Sequence, residues 1–438
     1  PRRLLLMSSS DAADLRPILS YLYSLNGRGI KPGLERIQKL LDAIGNPQNA
    51  YKVIHVAGTN GKGSTCAIMA NVLQAAGYRV GLYTSPHLLI FNERIRINGQ
   101  KIPDAEIALF TERWRKLIDE LNCSFFEATT AMALDYFKKN KVDHAVLETG
   151  MGGRFDATNV TLPEVAVITP IGRDHQEFLG RRLAQIAYEK AGIVKSGIPC
   201  IVARQTPRVL NFLSKEINCR GGDFYYAPEQ CQITNIQRFP ERQVLSLIVN
   251  NLKIDTVKFP LIGDHQLINL QAAVSALKRV KSLEISPKVL RDGISGVVWP
   301  GRLHILSHKP LIYFDVGHNQ HGIRQVVKAL KQIFPTQPVH LVLALGSVKK
   351  YDRIGKIIQP LGGDIYLTEI PDHPSVSAEI LADVIRKQIP SRLIYVDNKL
   401  ERLLNFLEIQ IKPDEILLIA GSHYLAPQVL PFYGVSLT

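Results

Sequence analysis

The most constraining feature of this chain is an octapeptide, Gly58-Thr59-Asn60-Gly61-Lys62-Gly63-Ser64-Thr65. It lies between a mostly apolar run, Val53-Ile54-His55-Val56-Ala57, and a stretch from Ser64 to Ala76 that stops at Gly77. The run reads as a buried strand and the stretch as a helix, so the chain passes from strand to helix through one glycine-rich turn. Glycines let several backbone N–H groups face a single point, and the helix start adds its positive dipole end. Such a junction suits a triphosphate, with Lys62 reaching the outer phosphates and the Ser64 hydroxyl available to Mg²⁺. The spacing departs from the common G-x-x-x-x-G-K-[ST], because Gly63 separates lysine from serine. A tight turn without a ligand is the plainer alternative. Tyr78 to Tyr83 follows as a strand, which completes one unit of a parallel sheet.

The alternation continues along the chain. Residues 11–50 read as loop-linked helices, amphipathic from Leu34 to Ile44. Ala128 to Lys139, Leu183 to Lys195 and Leu267 to Lys281 read as helices; Asp143 to Glu148, Val165 to Thr169 and Pro199 to Ala203 read as strands. Period-two alternation over Gln243–Val249 predicts antiparallel hairpins. After a sharp turn at Trp299-Pro300-Gly301, five further strands are expected: Ile312 to Asp315, Val339 to Leu345, Asp364 to Thr368, Leu393 to Val396 and Ile416 to Ala420. The fold class is therefore α/β. Residues 1–299 are expected to form a P-loop ATPase domain with a mainly parallel sheet and an antiparallel hairpin region. Residues 300–438 are expected to form a smaller Rossmann-like α/β domain.

Three other positions carry chemistry. Glu148 ends a buried run, Ala145-Val146-Leu147, at the strand edge where α/β proteins bind ligands, and it supplies a hard oxygen suited to Mg²⁺. His175, in Thr169-Pro170-Ile171-Gly172-Arg173-Asp174-His175, follows another strand end; a metal role and a structural one are equally open. Lys190, on a helix, reads on its own as a solvated side chain. The net charge of +14 suits an anionic partner, an acidic small molecule or nucleic acid, although no basic run interleaved with aromatics is present. Five cysteines without a CxxC pair argue against a disulfide framework or structural zinc and fit a reducing cytosol. No apolar run reaches the ~18–20 residues of a membrane span. Pro1 to Leu6 shows no leader cleavage site, and Met7 is a candidate start.

The motifs together resemble one family, folylpolyglutamate synthase with its bifunctional dihydrofolate synthase relatives, in the Mur ligase superfamily. The resemblance rests on Gly58–Ser64, Tyr83-Thr84-Ser85-Pro86-His87, Phe126-Glu127, the string ETGMGGRFDATN over Glu148–Asn159, and Asp174-His175. It extends through EKAGI over Glu189–Ile193, His265–Asn269, Pro300-Gly301-Arg302, FDVGHN over Phe314–Asn319, and Gly421-Ser422. It implies an ATP-dependent acid–amino-acid ligase that adds L-glutamate to dihydropteroate or a reduced folate through an acyl phosphate. The implied cofactors are ATP and Mg²⁺, two ions by the family pattern.

The implied ATP-binding set is Gly58, Thr59, Asn60, Gly61, Lys62, Gly63, Ser64, Thr65, Asn269, Arg302, Asp315 and His318, which puts ATP between the domains. The implied metal ligands are Ser64, Glu148, His175 and a carbamylated Lys190; Lys62, Glu148, His175 and Lys190 form the implied catalytic set. Ser85, Pro86, His87, Phe126, Asp156 and Ala157 match the folate or pterin positions, and the string after Glu148 favours the bifunctional type. Three departures stand out: Lys349-Lys350-Tyr351-Asp352 where many relatives carry Asp-Lys-Asp, Arg173 where an apolar residue commonly precedes Asp-His, and Trp299 before Pro300-Gly301-Arg302. A cytoplasmic monomer without nucleic-acid or membrane partners is expected. Of the rivals, a muramyl ligase carries a nucleotide-sugar domain ahead of the phosphate loop, where this chain has only 57 residues. A nucleic-acid ATPase calls for a conventional Walker spacing.

Overall fold

The computed structural model describes residues 15–29, 31–281, 283–347 and 351–436. Met7, the start of the 11–50 region and the pair Lys349-Lys350 lie outside them. Eight strands form the first sheet: β1 (Lys52–Ala57), β2 (Val80–Tyr83), β3 (Ile95–Ile97), β4 (Gln100–Lys101), β5 (His144–Glu148), β6 (Val165–Ile168), β7 (Pro199–Val202) and β8 (Asp223–Tyr226). Their order is β4-β3-β2-β5-β1-β6-β7-β8. All neighbours run parallel except the β2–β3 and β3–β4 pairs at one edge. β1 is central and buried from Val53 to Ala57, as an apolar run covered on both faces must be.

Helix α1 (Lys62–Ala75) leaves the phosphate loop and is buried nearly all round. It is sandwiched between the sheet and α5 (Asp264–Leu277), with Ile68, Leu73, Leu270 and Ala273 in one core. A helix enclosed this way has no polar stripe. On the opposite face α2 (Phe125–Lys139) packs Leu134 and Phe137 into a separate core. Its first turn is fixed by a capping box: Glu127 N donates to Ser124 Oγ at 3.3 Å, and Ser124 N donates to Glu127 Oε2 at 2.8 Å. The short α3 (Gln176–Leu179) and α4 (Leu183–Ala191) follow β6.

The expected hairpins exist as a three-stranded antiparallel sheet of β9 (Cys231–Arg238), β10 (Gln243–Val249) and β11 (Leu252–Phe259). Asn250 and Asn251 make its turn with φ of 50° and 62°, values that asparagine tolerates and that two-residue hairpins require. Beyond Gly301, β12 (His304–His308), β13 (Leu311–Asp315), β14 (Val339–Leu343), β15 (Gly362–Leu367), β16 (Ile394–Val396) and β17 (Ile416–Ala420) form a sheet ordered β12-β13-β17-β14-β15-β16. Only β12 is antiparallel. Helix α6 (Gln320–Ile333) packs on it through Ile323, Val327 and Leu330.

Several boundaries differ from the sequence reading. α1 begins at Lys62 instead of Ser64, α2 three residues before Ala128, and β2 at Val80. α4 ends at Ala191 instead of Lys195. Helices at Asp104–Glu120 and Pro207–Cys219 were not expected. The Ser124–Glu127 box was the legible signal for the true start of α2.

Candidate active site

The sheet register assembles the site. Val56 pairs with Glu148 on one side of β1 and with Val167 on the other. Glu148, the phosphate loop after Ala57 and the loop to His175 therefore open at the same edge of the sheet, with the phosphate loop in the middle. Gly61, with φ of 88°, is the N-cap of α1. A Cβ there would stand 2.1 Å from Asn269 Oδ1, so only glycine lets the loop lie against α5. A Cβ at Gly58 would stand 1.7 Å from Thr169 Oγ1, and Thr59 exchanges hydrogen bonds with Gly172 at 3.0 and 3.1 Å.

Lys62 Nζ lies 3.8 Å from Glu148 Oε1, and Ser85 N donates to Glu148 Oε2 at 3.2 Å. Burial pushes the Glu148 carboxyl upward, and Lys62 opposes it. Ser85, grouped by its motif with the folate positions, thus adjoins the acid of the phosphate corner. The Ser64 and Thr65 hydroxyls are buried without a hydrogen-bond partner among the described residues. The orphaned Ser64 hydroxyl in the first turn and the buried Glu148 carboxylate are hard-oxygen donors of the kind Mg²⁺ takes, so the residues present fit that ion. No group of three His, Cys, Asp or Glu side chains suited to a metal forms among the described residues.

Lys190 is buried, not solvated as its helix position alone suggested. Its Nζ donates to Gly58 O at 2.6 Å. Burial first, and Lys62 second, lower its pKa to about 7. His175 has left-handed backbone, φ 48°, and opens α3. The carboxylate of the neighbouring Asp174 lies 3.5 Å from His318 Nε2 and 3.5 Å from Asn319 Nδ2, which ties this loop to the second sheet.

A cleft of about 220 Å³ lies between the sheets. It is lined by Asn60, Gly61, Ser64, Asn269, Arg302, Asp315 and His318, so the four ATP positions expected outside the loop meet the loop itself. Asp315, at the end of β13, accepts from Leu303 N at 2.9 Å and Gly317 N at 2.7 Å. Asn60 bridges to His321 Nδ1 at 3.0 Å and to Asn319 at 3.3 Å. Arg204, Gln205, Thr206, His265 and His321 also line the cleft. Only His265 fell within a recognised motif; the others carry no local signature.

On the other side of Glu148 lies the expected pterin region. Phe126, held by the capping box, packs against Gly150 so closely that a Cβ there would be 2.6 Å from its Cζ, and its ring centroid is 5.8 Å from that of Tyr83. Asp156 is buried, accepts from Met151 N at 2.9 Å and Thr158 N at 3.1 Å, and precedes the buried Ala157. The Thr158 hydroxyl donates to Asp156 at 2.5 Å and lies 2.7 Å from His55 Nε2. A hydroxyl that has given its one proton to Asp156 can only accept from His55, so His55 carries its proton on Nε2. His55 was not singled out from sequence. Pro86 and His87 follow Ser85 on the loop, where His87 Nδ1 accepts from Arg94 Nε at 2.9 Å.

Comparison with known proteins agrees with this geometry. The family model of the Mur ligase middle domain matches residues 56–277, and that of the Mur ligase glutamate ligase domain matches residues 301–423. The chain is 35% identical to the dihydrofolate synthase/folylpolyglutamate synthase of Bacillus subtilis, over 92% of this chain and 95% of that protein. It is 36% identical to the Escherichia coli protein of the same name over 74% of each. Mycobacterium tuberculosis folylpolyglutamate synthase complexed with ADP superposes with a TM-score of 0.90 at 29% identity, covering 97% of this chain and 100% of that one. The Escherichia coli protein in complex with DHPP and ADP gives 0.84 at 29% identity, covering 96% and 98%.

Proposed function

Because the chain belongs to the Mur ligase family, within its folylpolyglutamate and dihydrofolate synthases, we propose that its cleft performs both glutamylations at a single site built from the residues above. It is an ATP-dependent ligase of folate glutamylation that uses ATP with Mg²⁺. The observation that carries the residue assignment is that Ser64 lines the cleft together with Asn269, Arg302, Asp315 and His318, while Lys62, two residues before it, lies against Glu148.

A carboxylate does not acylate an amine because its oxygen is a poor leaving group. Transfer of the γ-phosphoryl group converts it to an acyl phosphate, which the amine of glutamate attacks with release of phosphate. Lys62 lies where negative charge grows on the transferring phosphoryl oxygens, and the loop amides hold the rest of the triphosphate. Ser64 and Glu148 would hold Mg²⁺, which would supply positive charge at those oxygens. Asn269, Arg302, Asp315 and His318 orient the nucleotide. Asp174 links the His175 loop to His318, so the two domains close around the reacting groups and exclude water that would hydrolyse the acyl phosphate. Phe126, Asp156 and Ala157 receive the pterin, with Ser85, Pro86 and His87 on the adjoining loop.

A second ion would be held by His175 and by Lys190, the latter carbamylated. Its amine lies buried against Gly58 O, and among the described residues no carboxylate stands within ion-pair distance of it. An ammonium beside Lys62 is repelled, whereas a carbamate is an oxygen ligand. Lys190→Arg cannot be carbamylated and should lose most activity; full activity in that variant would remove the carbamate.

The enzyme acts as a cytoplasmic monomer on small molecules, without nucleic acid. Among the described residues no helix is long and apolar enough to cross a membrane. Purified protein with Mg²⁺ and glutamate should release ADP with dihydropteroate and, separately, with tetrahydrofolate, and not with DNA. Release with only one pteridine substrate would eliminate the dual activity, and DNA-stimulated release would eliminate the small-molecule reading. A single sedimenting species at the monomer mass is expected; a dimer would correct that part.

A further inference from the structure

Two residues set apart in the sequence meet in the structure: Gly63, which separates Lys62 from Ser64, and Trp299, which precedes Pro300-Gly301-Arg302. The backbone at Gly63 does not call for glycine. It lies in the first turn of α1 with ordinary helical torsions, whereas Gly58 and Gly61 have φ of 154° and 88°. Glycine in a helix costs stability where alanine would fit. What excludes alanine here is space. A Cβ on Gly63 would stand 3.0 Å from Trp299 Cζ2, 3.4 Å from Trp299 Cε2 and 3.4 Å from Glu148 Oε2. The indole therefore rests on the phosphate loop beside the acid that faces Lys62.

Trp299 is held from both directions along the chain. Before it, the helix Pro287–Ser295 crosses α1 closely: Asn71 Nδ2 donates to Gly293 O at 2.6 Å, and a Cβ on Gly293 would stand 2.7 Å from Val72 Cα. The chain then runs back along α1 towards its first turn. Val298 and Trp299 line a groove of about 70 Å³ there with Ala67, Ala70 and Asn71. Gly63, Ala67 and Ala70 follow one another at helical spacing, so this face of α1 is small enough to let the linker lie on it. After Trp299, Gly301 turns with φ of 75°, its carbonyl accepts from Val316 N at 3.0 Å just past β13, and Arg302 lines the nucleotide cleft. Three residues thus join the first turn of α1 to the second sheet's wall of the cleft.

We infer that Trp299 is a positioning residue for the phosphate loop, a role that rests on the placement of that loop proposed above. Its indole keeps the first turn of α1 and the Glu148 carboxylate in fixed relation, and it carries the seating of Gly301 and Arg302 on the second sheet to Lys62 and Ser64. Close-packed interiors transmit a displacement instead of absorbing it, and one rigid ring is all that stands between the linker and Gly63. The coupling is reciprocal: nucleotide settling on the loop changes the surroundings of the indole.

Trp114, the only other tryptophan, lies in the helix Asp104–Glu120 away from these residues. In full-length Trp114→Phe the emission therefore comes from Trp299 alone, and titration with ADP and Mg²⁺ should shift or quench it with the dissociation constant that calorimetry gives. ATP KM, kcat and dihydropteroate KM are then measured for Gly63→Ala, Trp299→Ala, Trp299→Phe and the pair G63A/W299A. G63A and W299A should each raise the ATP KM about tenfold and leave the dihydropteroate KM within about twofold of the parent. W299F, which keeps a ring over the glycine, should stay within about threefold for ATP. The pair should be no worse than W299A alone, because the added methyl enters space that the indole has left. Multiplied losses in the pair would overturn the inference. So would emission that stays fixed while calorimetry shows ADP bound, or an equal rise in the dihydropteroate KM. If W299A fails to fold, G63A/W299F, without the second ring, should recover ATP affinity over G63A, and no recovery would be the refuting result. Full activity in Lys62→Ala would instead remove the phosphate loop from the nucleotide site, whatever the tryptophan variants did.

Discussion

His55→Gln isolates one buried proton-binding site. His55 is fully buried in β1, with Nδ1 unpartnered among the described residues and Nε2 against the Thr158 hydroxyl. Burial, and secondarily the charge of Lys195, lower its pKa to about 3 from an ordinary 6.5. In the unfolded chain the imidazole takes up a proton near its ordinary value, so as the pH falls the unfolded state binds it first. The contribution is negligible above the unfolded pKa and grows as an increasing cost to the fold from there down to the folded pKa. At 1.36 kcal/mol per unit, protonation of the unfolded state alone costs about 2 kcal/mol at pH 5 and less than about 0.1 kcal/mol at pH 7.5. Glutamine does not titrate, and its amide N–H₂ reaches roughly the place of Nε2, so the bond to Thr158 survives. The assay is urea unfolding at the two pH values, followed by hydrogen exchange of the Val53–Ala57 amides. Between pH 7.5 and 5 the parent should lose about 2 kcal/mol more than H55Q. Parallel losses, within about 0.5 kcal/mol, would show that His55 is not held neutral by burial.

Three further outcomes follow from the same contacts. Lys62→Ala removes the cation facing Glu148 and the phosphoryl oxygens, and should lower kcat by about 10²–10³ in the ADP-release assay. Gly61→Ala forces a Cβ into Asn269 at a φ of 88°, a backbone strain of about 1–2 kcal/mol before the clash, and the ATP KM should rise at least about tenfold. Gly150→Ala drives a methyl into the Phe126 ring, so the dihydropteroate KM should rise severalfold while the ATP KM stays put; steady-state kinetics with each substrate varied separates the two.

The strand, turn and helix at Gly58–Ser64 were legible because their signals are local: an apolar run, glycines at fixed spacing, a following helix. So was the hairpin region, where Gln243–Val249 alternates with period two and ends in two asparagines. Five of the six strands of the second sheet could also be read; its edge strand β12 could not. Sequence reasoning was weaker where one element is enclosed by others. α1 and α5 have no polar face to set their boundaries, and α2 was started late because its capping box was passed over. Within the candidate site, the motif residues Lys62, Ser64, Glu148 and Asn269 were named from their strings, and the structure brings them to one end of the sheet. Lys190 read as solvated because a helix lysine usually is; its burial against Gly58 depends on where α4 docks.

The chain by itself, while leaving the edge strands β3, β4, β8 and β12 unread, thus indicated the central strands of both sheets, the glycine-rich loop between β1 and α1, and that two α/β sheets follow one another. Those are properties of a few neighbouring residues and need no partner distant in sequence. Only the tertiary structure decided that β1 lies between β5 and β6, and so that Glu148 and the His175 loop flank the phosphate loop. It also decided that Asn60 reaches His321 across the cleft and that Thr158 forces the His55 tautomer. Each depends on two segments tens to hundreds of residues apart meeting within hydrogen-bond reach, and the register and packing of the sheets fix that separation.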